Sequence, residues 1–147
     1  RPAVVEASRR RPFLGICIGL QMLFERSDEG GVAGLGLLAG TVRRFPESAM
    51  TDRQGWKLKV PHMGWNRVRQ ARRHPMWSGL QDGSHFYFVH SYFPCPAEEG
   101  LVQGTTEYGV PFTCAVARDN IFAVQFHPEK SAAAGLRLLA NFLNWNP

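Results

Sequence analysis

The chain has 147 residues, 44% of them hydrophobic, which is enough for one globular domain with a sizeable core. Its net charge of +5 comes from scattered arginines (Arg9 to Arg11, Arg43, Arg44, Arg67, Arg69, Arg72, Arg73) with no aromatic-rich RNA-binding signature or zinc-finger spacing. This argues against nucleic acid and for solvated faces or an acidic protein partner. No apolar run reaches the roughly 18 residues of a membrane span, and the N-terminus lacks the layout of a signal peptide. The cysteines, Cys17, Cys95 and Cys114, form neither a disulfide framework nor a CxxC zinc motif. The expected setting is the cytoplasm, with no membrane, metal or cofactor. Arg1 stands where an initiator methionine would, so a fragment or processed product is expected.

In chain order, "AVVEASRR" (3–10) reads as the end of a helix, stopped by Pro12, and "PFLGIC" as a short buried strand. Residues 18–25 read as helical, closed by the turn residues of "RSDEGG". "TVRRF" follows as an edge strand, then a loop, "KLKV", "PHMGWN" and a basic loop to about residue 80. Four strand-like runs come next: "HFYFVHSYF" (85–93), "LVQGTTEY" (101–108), "FTCAVAR" (112–118) and "IFAVQF" (121–126), with Asp119 and Asn120 turning between the last two. "SAAAGLRLLANFLNW" (131–145) closes the chain as an amphipathic helix. Leu136, Leu139, Ala140 and Leu143 fall on one stripe there, with Ser131 as N-cap. Strands between a helix at each end predict an α/β domain with an antiparallel portion.

"GICIG" places Cys17 between Gly15 and Gly19, two residues away on each side. A nucleophile on a sharp strand-to-helix turn needs small neighbours at that spacing, and a helix N-terminus favours thiolate and an oxyanion. Taken alone, the stretch fits a small packing cysteine equally well. A thiol nucleophile needs a base, and of the five histidines His127 has the most telling context. In "AVQFHPEKS" a buried strand ends at Phe126, and Pro128 biases His127 toward extended geometry. His127 and Glu129, at i and i+2, can then turn the same way, so that the carboxylate orients the imidazole. A satisfied surface histidine is the competing reading.

Together "GICIGLQML" and "VQFHPEKS" resemble the motifs of the class I (triad) glutamine amidotransferase family. The resemblance implies a flavodoxin-like mixed sheet flanked by helices, and hydrolysis of L-glutamine to glutamate and ammonia through a thioester. It implies Cys17 as nucleophile, His127 as general acid/base, Glu129 as its orienter and the Ile18 N–H as an oxyanion donor. Glutamine would be bound by Gln21, His90, Ser91 and Tyr92. Glu29, preferred over Glu25 and Asp28, would meet its ammonium.

"KVPHMGWN", "FYFVHSYF" and "FERSDEGG" further resemble the glutaminase subunits of imidazole glycerol phosphate synthase, which serve histidine biosynthesis. That likeness implies a heterodimer with a cyclase subunit that takes the ammonia, and it makes Trp65, Asn66 and Lys130 candidate interface residues. Another triad amidotransferase, or a binding fragment with a structural Cys17, are the alternatives. Only 16 residues precede Cys17, where the family holds the first strands of its sheet and a glycine-containing oxyanion strand. The expectation is a single, N-terminally incomplete domain with exposed sheet edges, one missing oxyanion donor and poor activity.

Overall fold

The computed structural model describes residues 2–147; Arg1 lies outside them. Helix α1 (Pro2–Arg10) leads into strand β1 (Phe13–Ile16), the one-turn helix α2 (Ile18–Gln21) and strand β2 (Phe24–Ser27). Strands β3 (Leu38–Arg44), β4 (His62–Arg67), β5 (Arg69–Gln70), β6 (His85–His90) and β7 (Tyr92–Pro96) follow. Strands β8 (Val102–Tyr108), β9 (Val110–Arg118) and β10 (Ile121–Val124) precede helix α3 (Ala132–Leu143).

The strands form a five-stranded sheet in the order β1-β10-β9-β8-β5, a three-stranded sheet β2-β3-β7 and a pair β4-β6. In the five-stranded sheet β1 and β10 run parallel and the rest is antiparallel. This is the expected mixed α/β architecture with an antiparallel portion. β10 is buried at every position, as an apolar run covered on both faces must be. Phe122 and Val124 point into one core with Phe88, Trp77 and Leu138, whereas Ile121 and Ala123 point into a second with Leu20, Phe24 and Val42. Those two layers hold the ends of β1 and β10 fixed.

Several local expectations are corrected. The helix after Cys17 ends at Gln21 rather than at residue 25. Its continuation is pulled into β2, which pairs in parallel with β3, while the Leu23 and Phe24 carbonyls accept from the N–H groups of Leu37, Leu38 and Gly36. β3 is accordingly the centre of its sheet, not an edge. "HFYFVHSYF" breaks at Ser91: β6 pairs with β4, and β7 turns away to pair with β3. The turn at Asp119 is as expected, with a left-handed φ of 51°.

α3 lies where the pattern places it, but its buried face is not the expected stripe. Leu136 and Leu143 are 68% and 87% exposed, and the face that packs carries Ala134, Gly135, Leu138 and Phe142. Gly135 sets that face: a Cβ there would lie 1.8 Å from the Pro128 carbonyl oxygen, so only glycine lets the helix lie this close to the preceding turn. Ser131 occupies the N-cap position without capping. Its hydroxyl donates to the His127 carbonyl (2.6 Å) and accepts from the Tyr87 N–H (2.9 Å), tying the turn to β6.

Candidate active site

Cys17 sits on the turn between β1 and α2 with φ 55° and ψ −108°, a left-handed backbone that a non-glycine residue adopts at a cost. Its N–H donates to the Val124 carbonyl (2.8 Å), which pins the turn to the end of β10. The two glycines play unequal parts. A Cβ on Gly15 would meet the Gly19 carbonyl at 3.0 Å and Ala123 at 3.1 Å, whereas one on Gly19 would meet nothing within 4 Å. Gly15 is needed for close packing; Gly19 is not required by its surroundings, contrary to the symmetric expectation.

The half-buried sulfur lies 3.9 Å from the Val89 carbonyl and accepts from Gln125 Nε2 at 3.6 Å. Burial pushes its thiol above the ordinary cysteine value, and the negative charges of Glu129 and Glu29 add to the rise. The Ile18 N–H and the Gln125 amide pull the other way without overcoming burial. A helix of four residues supplies too little dipole to make the thiolate expected from sequence. The resting group is therefore a thiol, and chemistry at it needs a base.

The candidate base, His127, follows the strand that pairs with β1. β1 and β10 pair in parallel, with Ile16 opposite Val124, so Cys17 and the segment 125–129 leave the sheet at the same end. His127 is extended (φ −104°, ψ 97°) and its Nδ1 lies 2.7 Å from Glu129 Oε1, the geometry that the intervening proline predicts. Its N–H donates to the Tyr87 carbonyl (2.9 Å). Hydrogen bonds at the sulfur go to Val89 and Gln125 rather than to His127.

A cavity of about 270 Å³ on the α2 side of the turn is lined by Ile18, Gln21 and Glu29, together with Met22, Ser27 and Val32; Cys17 itself is not among its lining residues. It gathers three residues named from sequence. Glu25 is engaged elsewhere, its carboxylate accepting from the Gly40 N–H (2.9 Å). Gln21 is buried, and its Nε2 donates to the Tyr92 carbonyl and to Gln125 Oε1, both at 3.1 Å, which leaves its carbonyl oxygen for a ligand.

His90 differs from expectation. Its ring is buried, with Nδ1 2.7 Å from the Tyr92 carbonyl and Nε2 3.0 Å from His62 Nδ1, so no polar atom of the ring is left to meet glutamine. Ser91 accepts the Phe45 N–H at its carbonyl (3.1 Å), and the Tyr92 ring lies under the Arg44 guanidinium (5.5 Å).

On the outer face of β4, Trp65 is 52% and Met63 61% exposed, and Trp65 meets Tyr87 edge to face with centroids 5.9 Å apart. Lys130 is exposed and directly follows Glu129 in the chain. Asn66 is committed internally: its amide nitrogen donates to the Glu107 carbonyl (2.8 Å) and approaches His62 Nε2 (3.3 Å). Sequence reasoning passed over Gln125 and His62. The signal for Gln125 was a polar residue inside the apolar run "IFAVQF". Among the described residues no cluster of His, Cys, Asp or Glu suits a metal ion, and no helix is long and apolar enough to cross a membrane.

Burial holds His62 down to about 3 and His90 to about 4, against an ordinary 6.5. Each then binds fewer protons folded than unfolded between about pH 4 and 6.5, so their contribution to stability is whole above pH 6.5 and is lost as pH falls. Denaturant melts between pH 7 and 5 should show stability falling by up to about 1.4 kcal/mol per pH unit for each histidine. A flat profile over that range would contradict the burial of the pair.

The chain is similar to known proteins over nearly its whole length. Residues 2–145 match the family described as Glutamine amidotransferase class-I. The Imidazole glycerol phosphate synthase subunit HisH of Dechloromonas aromatica is 65% identical over the whole chain, which covers 68% of that relative. The subunit of the same name from Thiobacillus denitrificans is 62% identical, with 64% of it covered. The chain thus spans about two thirds of the length of these relatives. Among solved structures, a glutamine amidotransferase from Thermotoga maritima superposes with a TM-score of 0.61 at 19% identity, covering 97% of this chain and 52% of that one. Another glutamine amidotransferase gives 0.62 at 20%, covering 96% and 66%; at such identities the likeness shows the fold alone. Motif, geometry and whole-chain identity converge: the chain belongs to the class-I glutamine amidotransferase family, among the HisH subunits of imidazole glycerol phosphate synthase.

Proposed function

We propose that this chain is one glutamine amidotransferase domain that hydrolyses L-glutamine and supplies the ammonia to a cyclase subunit, in the cytoplasm. The observation that carries the reading is the placement of Cys17 and the His127–Glu129 pair at the same ends of two adjacent parallel strands. The Cys17 thiol passes its proton to His127 as the sulfur attacks the carboxamide carbon of glutamine. The C–S bond forms, the C–N bond breaks, and ammonia leaves with the proton that His127 returns. Water then gives a proton to His127 and adds to the thioester; the C–S bond breaks, releasing glutamate and the thiol. Glu129 accepts from Nδ1 and so keeps Nε2 as the nitrogen that exchanges protons. The Ile18 N–H faces the negative oxygen of each tetrahedral intermediate, Glu29 meets the substrate ammonium, and the main chain of Ser91 and Tyr92 borders the site.

A glutamine-analogue electrophile tests the reading: it should label Cys17 while leaving Cys95 and buried Cys114 unmodified, with glutamine protecting. Labelling spread over all three cysteines, or indifferent to glutamine, would refute it.

The face carrying Trp65 and Lys130 is the proposed contact with the cyclase, because an exposed tryptophan braced on Tyr87 stands next to the segment that holds His127. Asn66 supports this face from within. Trp65→Ala should weaken cyclase binding by about tenfold or more, as truncation of a buried aromatic anchor does. Unchanged affinity in a binding titration would remove Trp65 from the interface.

A further inference from the structure

A hydrogen-bond network runs from the surface strand β4 to the sulfur of Cys17, and most of it lies outside the residues given chemistry above. Its polarity follows from one atom. The Tyr92 carbonyl oxygen can only accept, so His90 Nδ1, 2.7 Å away, carries a proton. In a neutral His90 the other nitrogen, Nε2, is then a lone pair, and His62 Nδ1 at 3.0 Å must donate to it. His62 Nε2 is in turn an acceptor, which suits the Asn66 amide nitrogen at 3.3 Å; that nitrogen's other hydrogen goes to the Glu107 carbonyl.

The second arm starts at the same oxygen. Gln21 Nε2 donates to it and, with its other hydrogen, to Gln125 Oε1. Gln125 must therefore present Nε2, not its carbonyl, to the sulfur at 3.6 Å. One assignment of hydrogens satisfies all of these contacts together.

We infer that His62 and His90 are positioning residues: held as neutral, Nδ1-protonated rings, they fix the Tyr92 carbonyl and, through Gln21 and Gln125, the hydrogen bond that the Cys17 sulfur receives. The surroundings keep the rings neutral. Their packed neighbours are Phe45, Phe88 and Phe112, with Tyr108 stacked on His62 at 4.1 Å and its hydroxyl turned to the Lys59 carbonyl. The charged group that bears on His90 is His127, and protonation of His127 further disfavours a proton on His90. Burial acts in the same direction on both rings. The inference rests on the proposed glutaminase reading only in taking Cys17 as the reacting group.

Nitrogen-15 spectra of histidine-labelled protein at pH 7 test the assignment directly. Both rings should be neutral and protonated at Nδ1; an Nε2–H tautomer or an imidazolium at either ring overturns it. His62→Phe then removes the donor while keeping the stacked ring, and His62→Asn returns a donor near the Nδ1 position. The readout is the pH profile of Cys17 alkylation by iodoacetamide, followed by mass spectrometry with buried Cys114 as control. His62→Phe should move the alkylation midpoint up by about half to one pH unit, a three- to tenfold loss of rate near neutrality, and His62→Asn should regain most of it. Coincident profiles for the wild type and a folded His62→Phe protein would refute the inference. If His62→Phe does not fold, the tautomers alone decide. Iodoacetamide needs no glutamine site, so failure of the glutaminase reading shows instead as absence of glutamine-protected labelling and leaves this test intact.

Discussion

His127→Ala should lower both glutamine hydrolysis and labelling of Cys17 by a glutamine-analogue electrophile by about 10² to 10⁴, the range typical of a positioned general acid–base group. The size of the effect follows from the state of the sulfur. Burial, with Glu129 and Glu29, holds the thiol above its ordinary value, so at neutral pH nearly every molecule must give up a proton before attack. A site with a preformed thiolate would lose far less. His127 forms no part of the two apolar cores, and it is the main-chain N–H of this residue, not the ring, that anchors the turn to Tyr87. The alanine variant should therefore melt within about 0.5 kcal/mol of the parent. Glu129→Gln, which keeps an acceptor near Nδ1 but removes the charge, should fall between. Turnover above one tenth of the parent in a folded His127→Ala protein would remove His127 from the mechanism.

The second large effect is expected far from any reacting atom. Gly135→Ala pits two terms against each other. Helix propensity favours alanine in a helix interior by about 1 kcal/mol. Against it, the new methyl would sit 1.8 Å from the Pro128 carbonyl oxygen and 2.9 Å from the Ser131 Cβ. The nearest atoms are backbone, so no side chain can swing aside, and overpacking of this kind costs about 1 to 3 kcal/mol or more. The clash should win, with a net loss of about 2 kcal/mol in urea unfolding. Relief can come only by parting α3 from the turn that begins at Pro128, and that turn carries Glu129. Labelling of Cys17 should fall with stability, though no catalytic atom has been replaced. An alanine variant as stable as the parent would show that the helix can shift without strain.

The elements that sequence placed well are those whose pattern is set by burial alone. "FTCAVAR" and "IFAVQF" are apolar because their strands are covered on both faces, and a turn at Asp119 is the compact way to join them. The His-Pro-Glu geometry was legible too, since proline restricts its own neighbourhood. What misled were features decided across the fold. Residues 22–25 fit a helix locally, but parallel pairing with β3 claims their backbone. Leu136 and Leu143 looked like a buried stripe because a helical wheel does not know which side faces the sheet, and the close approach at Gly135 chooses it. At the candidate site, two motifs single out Cys17, His127 and Glu129, whereas His62 with His90 and Gln21 with Gln125 meet across 28 and 104 positions. The sequence offers His90 to the ligand, but its buried ring spends both nitrogens on the Tyr92 carbonyl and His62.

The left-handed backbone of Cys17 (φ 55°) sets two demands in opposition at a single position. Glycine suits such a conformation better than any residue with a Cβ, so the molecule would gain stability by giving up its thiol. The rest of the fold holds the cysteine there nonetheless, through the Val124 carbonyl on one side and the tight fit of Gly15 on the other. Selection for heat resistance alone would therefore erode this position, and a homologue improved only for robustness would carry the record of a lost trade at the residue matching Cys17.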